Sequence, residues 1–280
     1  MRLAEHQYGK AKVRVMKVAR ETERHSLHEL EVEVLLHGDF ADSFMKADNK
    51  LVVATDSIKN IVNILAYDSL DDDIPAFAAR VAAHFLEHYT QVMRVRVHIR
   101  QRPWNRLTNM VGGHNHAFSV GDHRLLVHLE AKRGEPPVLE SGVDDLLVLK
   151  TTGSGFANFV QDEFRTLPDT DERILAMRMW AMWRYGRVPQ TGSVEINARI
   201  LQTMLSVFAD EYSVSVQATM HDMAEAVFAK IPEIDQIALA LPNVHCLRVP
   251  LDAFGRENKD TLFVPTDEPH GQIEAVFARE

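Results

Sequence analysis

Cysteine occurs once in the 280 residues, at Cys246. A single thiol excludes an intrachain disulfide framework and a cysteine-rich zinc site. Long apolar runs are missing too: none reaches the roughly 18 residues that span a bilayer. The start, Met1 to His6, has no apolar stretch behind its charges, so no signal peptide is expected. The end, Ala278-Arg279-Glu280, is no peroxisomal tripeptide. A cytoplasmic address is therefore the expectation. Positive charge is scarce, with 31 Lys and Arg against 40 Asp and Glu, a net charge of −9. That balance argues against nucleic acid or an anionic membrane as the main partner. A locally basic pocket for a small anion stays compatible with it. Phosphate-binding glycine loops are also lacking, because Gly153-Ser154-Gly155-Phe156 does not have their spacing.

What is present is an ordinary globular balance, 46% hydrophobic and 25% charged. The length suits one large domain or two medium ones. Residues 11–20 alternate, with Val13 and Val15 opposed to Lys12, Arg14 and Met16. Residues 28–37 repeat the pattern with Leu30, Val32 and Val34 inward. Both predict strands with one buried face. Residues 71–90 predict a helix with aspartates at its start, Pro75 in its first turn and an apolar line at Phe77, Val81, Phe85 and Tyr89. Strands are expected near 92–102 and 116–130, then a linker at 133–137.

The second half repeats this plan. Strands are expected at 143–150 and 174–185. A helix follows, with Val194, Ile200, Leu201, Met204, Leu205 and Phe208 at helical spacing, and a second helix covers 217–230. Residues 234–241 and 244–251, split by Pro242-Asn243, read as paired strands. Two tandem α+β units with antiparallel sheets, 1–137 and 138–280, are expected. Their open sheet edges favour an oligomer.

Several motifs invite chemistry. His84-Phe85-Leu86-Glu87-His88 has the H-x-x-E-H spacing of an inverted zinc-protease helix. Its place beside an apolar helical line favours an ordinary polar flank instead. His114 and His116 have H-x-H spacing, but no carboxylate falls where such a metal site needs one; a polar strand face or subunit contact is the simpler reading. His245 and Cys246 are adjacent on an expected strand and point to opposite faces, so they form no nucleophile pair. Thr55 and Asp56 stand where a helix begins, as caps or as neighbours of an anion-binding start. Lys10, before the first strand with Lys12 and Arg14, reads as a solvated basic edge or as a lysine that accepts a proton once neighbouring cations lower its pKa.

Taken together, the chain resembles urate oxidases nearly end to end. The matching segments are Tyr8-Gly9-Lys10 with the strand after it, residues 52–60 (VVATDSIKN), Lys150-Thr151-Thr152 with Ser154 and Phe156, residues 162–175, residues 215–220, and Leu241-Pro242-Asn243 with His245. Ile61 and Ala157-Asn158 depart from the pattern, at positions without an implied catalytic role. The resemblance implies a tunnel-shaped barrel of tandem T-fold units and a homotetramer with active sites between subunits. It implies oxidation of urate by O2 to 5-hydroxyisourate and hydrogen peroxide, with neither metal nor organic cofactor.

By the same resemblance, Phe156 stacks on the purine, and Arg173 and Gln217 grip its polar edges. Backbone groups at Asp56 and Val216 add hydrogen bonds. Lys10 and Thr55 form a proton relay, with Thr55 from a neighbouring subunit. His245 continues the relay, and Asn243 holds O2 or water above the ring. The rivals are another T-fold enzyme of purine or pterin chemistry, a purine-binding homologue without activity, and the zinc hydrolase of the H-x-x-E-H motif.

Overall fold

The computed structural model describes residues 1–189 and 192–279. In chain order its elements are β1 (Tyr8–Ala19), β2 (Ser26–Gly38), α1 (Ala41–Met45), α2 (Thr55–Ser69), α3 (Ile74–His88), β3 (Val92–Arg102), β4 (Trp104–Asn109), β5 (Gly112–Val120), β6 (Arg124–Lys132) and β7 (Val138–Lys150). Then come β8 (Leu175–Tyr185), α4 (Ser193–Asp210), α5 (Val216–Lys230), β9 (Ile234–Ala240), β10 (Asn243–Arg248), a 3-10 turn (Asp252–Phe254), β11 (Phe263–Thr266) and β12 (Glu274–Ala278). The architecture is α+β, and the registered strand pairs are antiparallel.

Packing divides the chain into two compact units. The first comprises Met1–Val143 and Met182–Asn197; the second comprises Asp144–Ala181 and the chain from Ala198 onward. In the first, β1, β2, β3 and β6 lie side by side in that order. Strict alternation fixes which face of β2 is apolar, so Leu30, Val32, Val34 and Leu36 are all at most 1% exposed. Helix α3 packs on β3 and β6, and α2 on β1. Phe77, Val81 and Phe85 of α3 are fully buried. The start of α3 is fixed chemically: the Asp73 carboxylate accepts from the Ala76 N–H at 2.9 Å, and Pro75 occupies the first turn.

β1 begins earlier than its alternation suggests, so Lys10 is a strand residue paired with Val34. The register then shifts between Lys10 and Val13, with Lys12 at φ 56°. Lys12 therefore leaves the regular face on which it was expected beside Lys10. Just before the bulge, β1 presses closely on β2. A Cβ at Gly9 would overlap the Val34 carbonyl oxygen, which only glycine avoids.

In the second unit, α5 packs on β9 and β12. Two expectations are corrected by the strand pairing. Residues 234–241 and 244–251 do not pair with each other. β9 pairs with β8 and β12, and β10 with β8 and β11. Pro242 is not a hairpin turn but a link between two strands that both reach β8, and its carbonyl accepts from the Arg178 N–H at 3.1 Å. The single strand expected over 116–130 is two, β5 and β6, divided near Gly121, whose N–H bonds to the Pro103 carbonyl at 2.9 Å. Val194 lies outside the buried line of α4, at 41% exposure, while Ile196, Ile200, Met204 and Phe208 are buried.

Candidate active site

In the first unit the site residues gather where β1 meets the start of α2. Helix α2 begins at Thr55 with Ala54 as N-cap, and no side chain caps it. Neither Thr55 nor Asp56 therefore plays the capping role that its position suggested. Ala54 already accepts the first helical bond, from Ile58 at 3.0 Å. The amides of the first turn have no partner within the helix, and they carry its partial positive charge. Asp56 turns sideways: Lys59 donates to its carboxylate at 2.6 Å and Asn60 at 3.0 Å. The Lys59 hydrogen bond and charge hold this carboxyl below the usual carboxylate range, and the Lys10 charge adds to the effect. Lys10 and the Thr55–Asp56 turn are thus electrostatic neighbours within one chain.

Tyr8, two residues before Lys10, was not singled out by its chemistry. Its hydroxyl accepts from the Val53 N–H at 2.8 Å. Its ring meets Phe40 edge-on, with centroids 4.8 Å apart.

In the second unit an irregular segment is threaded through a serine framework. Ser154 is fully buried and bridges Ser213. Gly155 N–H donates to the Ser213 carbonyl at 2.9 Å, and Ser213 N–H to the Gly153 carbonyl at 3.0 Å. Ser213 also accepts from the Thr219 hydroxyl at 2.8 Å, which ties the segment to the first turn of α5. That helix is capped by Ser215, which accepts from the Ala218 N–H at 3.1 Å. Val216 is buried and Gln217 exposed at its first two positions. A buried hydroxyl has no distinctive spacing, so the structural roles of Ser213 and Thr219 are not written in the sequence beyond a Ser-x-Ser before a helix.

Phe156 pairs with Thr170 across two backbone hydrogen bonds of 2.7 and 2.9 Å. Its ring stacks on Phe159 at 4.7 Å, and the Arg173 guanidinium lies 5.4 Å from its centroid. Arg173 is anchored by its own N–H to the Ser154 carbonyl at 2.8 Å, and its Nε donates to the Ser154 hydroxyl at 3.4 Å. Burial lowers its pKa from the ordinary arginine value, and the group remains charged at neutral pH. An aromatic face beside a partly desolvated planar cation can hold a flat anion by stacking and by paired hydrogen bonds.

Asn243 and His245 stand on β10. Asn243 pairs with Met177, and His245 with Thr266. The Asn243 N–H donates to the Gly271 carbonyl at 3.2 Å, while its side-chain Oδ1 is buried with no hydrogen-bond partner among the described residues. An uncompensated buried acceptor is costly and points to a missing donor. Phe156, Arg173, Val216 and Gln217 are thus joined through one framework in the second unit. Lys10, Thr55 and Asp56 belong to the first, where the Lys10 charge reaches the Asp56 carboxyl.

The motifs with metal-like spacing behave differently. On α3, His84 and His88 stack with centroids 4.2 Å apart, and His88 Nδ1 contacts the His84 carbonyl at 2.9 Å. His114 and His116 meet edge to face at 4.5 Å on the exposed β4–β5 hairpin. Among the described residues, the three metal-ligating side chains that converge within 4.8 Å are His221, Asp222 and Glu225, on the surface of α5.

The uricase family profile matches residues 6–124 and 139–274. A uricase of Arthrobacter globiformis is 38% identical over 278 residues, which cover 99% of this chain and 90% of that protein. One from Oryctolagus cuniculus is 34% identical over 284 residues, 98% of this chain and 93% of its own. The crystal structure of the Arthrobacter globiformis uricase superimposes with a TM-score of 0.94, covering 100% of this chain and 96% of the other.

Proposed function

The chain belongs to the uricase family and has urate oxidase activity, and from this premise we propose how its own residues carry the reaction. The overall change is urate plus O2 plus water giving 5-hydroxyisourate and hydrogen peroxide. Two electrons leave the purine ring for O2, and water supplies the hydroxyl at the oxidised carbon. Urate is an electron-rich anion, and a further deprotonation lets it reduce O2 directly. That property supports a reaction without metal or organic cofactor.

The arrangement of Phe156 and Arg173 carries this reading. Urate stacks on Phe156, Arg173 grips one edge as an anion clamp, and Gln217 offers both a donor and an acceptor to the other. The buried Val216 contributes backbone hydrogen bonding from the first turn of α5. Asn243 holds O2 or the attacking water above the ring: its unpartnered Oδ1 can accept from that water, and its Nδ2 can donate to O2. Lys10 takes the proton through the Thr55 hydroxyl, and His245 extends the relay. Because Tyr8 ties the two segments within one chain and the Lys10 charge reaches the Asp56 carboxyl, Lys10 works with the Thr55 and Asp56 of its own subunit, rather than with a Thr55 from across the interface. That group completes the pocket of a neighbouring subunit in a homotetramer of tandem T-fold units, 1–137 and 138–280, arranged as a tunnel. β1, which ends the strand order with β2 on one side, is an open edge suited to such assembly. No helix among the described residues is long and apolar enough to cross a membrane.

The test is urate absorbance near its ultraviolet maximum, followed with O2 uptake, in the presence and absence of chelator. Loss of absorbance that survives chelation is expected. Folded protein that leaves urate untouched would overturn the reading, and activity abolished by chelation would overturn its cofactor-free part.

A further inference from the structure

The start of α2 lacks a cap, yet the proposed relay needs its Thr55 hydroxyl at a fixed place relative to Lys10. Position must come from elsewhere. Asp56 cannot supply it, since its carboxylate is engaged by Lys59 and Asn60 of the same helix. Among the described residues, one hydrogen bond from outside the helix reaches this segment beside Thr55: the Tyr8 hydroxyl accepts from the Val53 N–H at 2.8 Å. Tyr8 lies two residues before Lys10, and Val53 two before Thr55, so this bond links the two functional segments directly.

Tyr8 is itself held on two sides. Its backbone pairs with Leu36 of β2, and the close approach at Gly9 leaves that pairing no slack. Its ring sits edge-on against Phe40, which is 1% exposed. Lys10 is the last regular pair before the bulge, so the rigid stretch of β1 ends where the tie and the lysine are. A phenol is neutral at physiological pH, and burial raises its pKa further. It serves as a neutral acceptor, which spares a partly buried amide an unmet hydrogen bond.

We propose that Tyr8 is a positioning residue of the oxidation: through its bond to the Val53 amide it sets the Thr55 hydroxyl against Lys10 without touching substrate. This rests on the Lys10–Thr55 reading above. Small displacements of a proton-transfer partner cost rate rather than affinity. Tyr8→Phe keeps the ring against Phe40 and removes only the oxygen.

The experiment is a cycle of Tyr8→Phe, Lys10→Met and the double variant in the full-length protein, with kcat, KM and the pH profile of kcat from urate absorbance. Tyr8→Phe should lower kcat about tenfold, leave KM within about twofold and move the pH profile. The double variant should be no slower than Lys10→Met alone, because both changes disable one device. Amide hydrogen exchange at 53–56 should accelerate at least about tenfold in Tyr8→Phe. Unchanged kcat or unchanged exchange in Tyr8→Phe would overturn the proposal, as would multiplicative effects in the cycle. If Lys10→Met itself turns over normally, the relay reading fails instead, and the two failures are told apart.

Discussion

Helices α2 and α5 are both 15 residues long, and each offers proposed site residues from its first turn: Thr55 and Asp56 from one, Val216 and Gln217 from the other. They are held in contrasting ways. α5 is capped by its own Ser215, and Thr219 reinforces the turn through the Ser215 carbonyl at 3.0 Å and the Ser213 hydroxyl. α2 has Ala54 where a cap would stand and is tied by Tyr8, a residue of another strand. A side-chain cap is worth about 1 kcal/mol. At α2 no side-chain cap is made, and Thr55 stands one position inside the helix. The α5 turn is made rigid by its local sequence; the α2 turn is anchored from a distance.

The largest effect is expected outside both helices, at the proposed clamp. Arg173→Gln removes the cation beside Phe156, and kcat/KM for urate should fall roughly a hundredfold, as for loss of a charge-assisted contact. A loss under threefold in steady-state assays would remove Arg173 from substrate binding. Next comes Thr55→Ala. Since Thr55 caps nothing, turnover should fall about tenfold or more while the melting temperature barely moves. Ser215→Ala should do the reverse: it costs about 1 kcal/mol, or roughly 2–4 °C in thermal melts, and turnover at 25 °C stays near that of the parent. If the two variants exchanged phenotypes, the contrast between the helix starts would be broken.

The smallest effect is acid sensitivity away from both starts. On β6, burial with the charges of His98 and Arg100 lowers the pKa of His128 from 6.5 to about 4. Its folded pKa is depressed, so the unfolded chain binds the proton more readily between those values. The corresponding stability is present above pH 6.5 and is lost as pH falls toward 4. After solvent screening this amounts to about 0.5 kcal/mol between pH 6.5 and 5. Urea melts of His128→Gln should show a flatter pH dependence there, and the difference between Thr55→Ala and Ser215→Ala should remain.

The same contrast explains what the amino-acid sequence reveals. β2 is legible because one face is buried along its whole length, which forces alternation at Leu30, Val32 and Val34. α3 is legible because Asp73 and Pro75 act within their own turn. Strands joined through Pro242 are misread, because a proline between two apolar runs looks the same whether the chain reverses or continues along a neighbour. At the site, Phe156, Arg173 and Gln217 make chemical sense as residue types. Thr55 does not, since a threonine before an apolar run usually caps, and the tie that replaces the cap comes from 45 residues earlier in the chain. The Phe159 ring on Phe156 and the Ser154–Ser213 bridge are likewise long-range or irregular contacts without periodicity.

Gly9 bears on how this enzyme can be altered. With no room for a methyl group against the Val34 carbonyl, position 9 is closed to the other nineteen amino acids unless β1 moves, and Tyr8 and Lys10 move with it. A mutational library over residues 8–10 should therefore return almost no active clones changed at the glycine. Variants that retune the enzyme should come instead from Phe156, Phe159 and Gln217: the two rings stack on each other, and Gln217 is exposed.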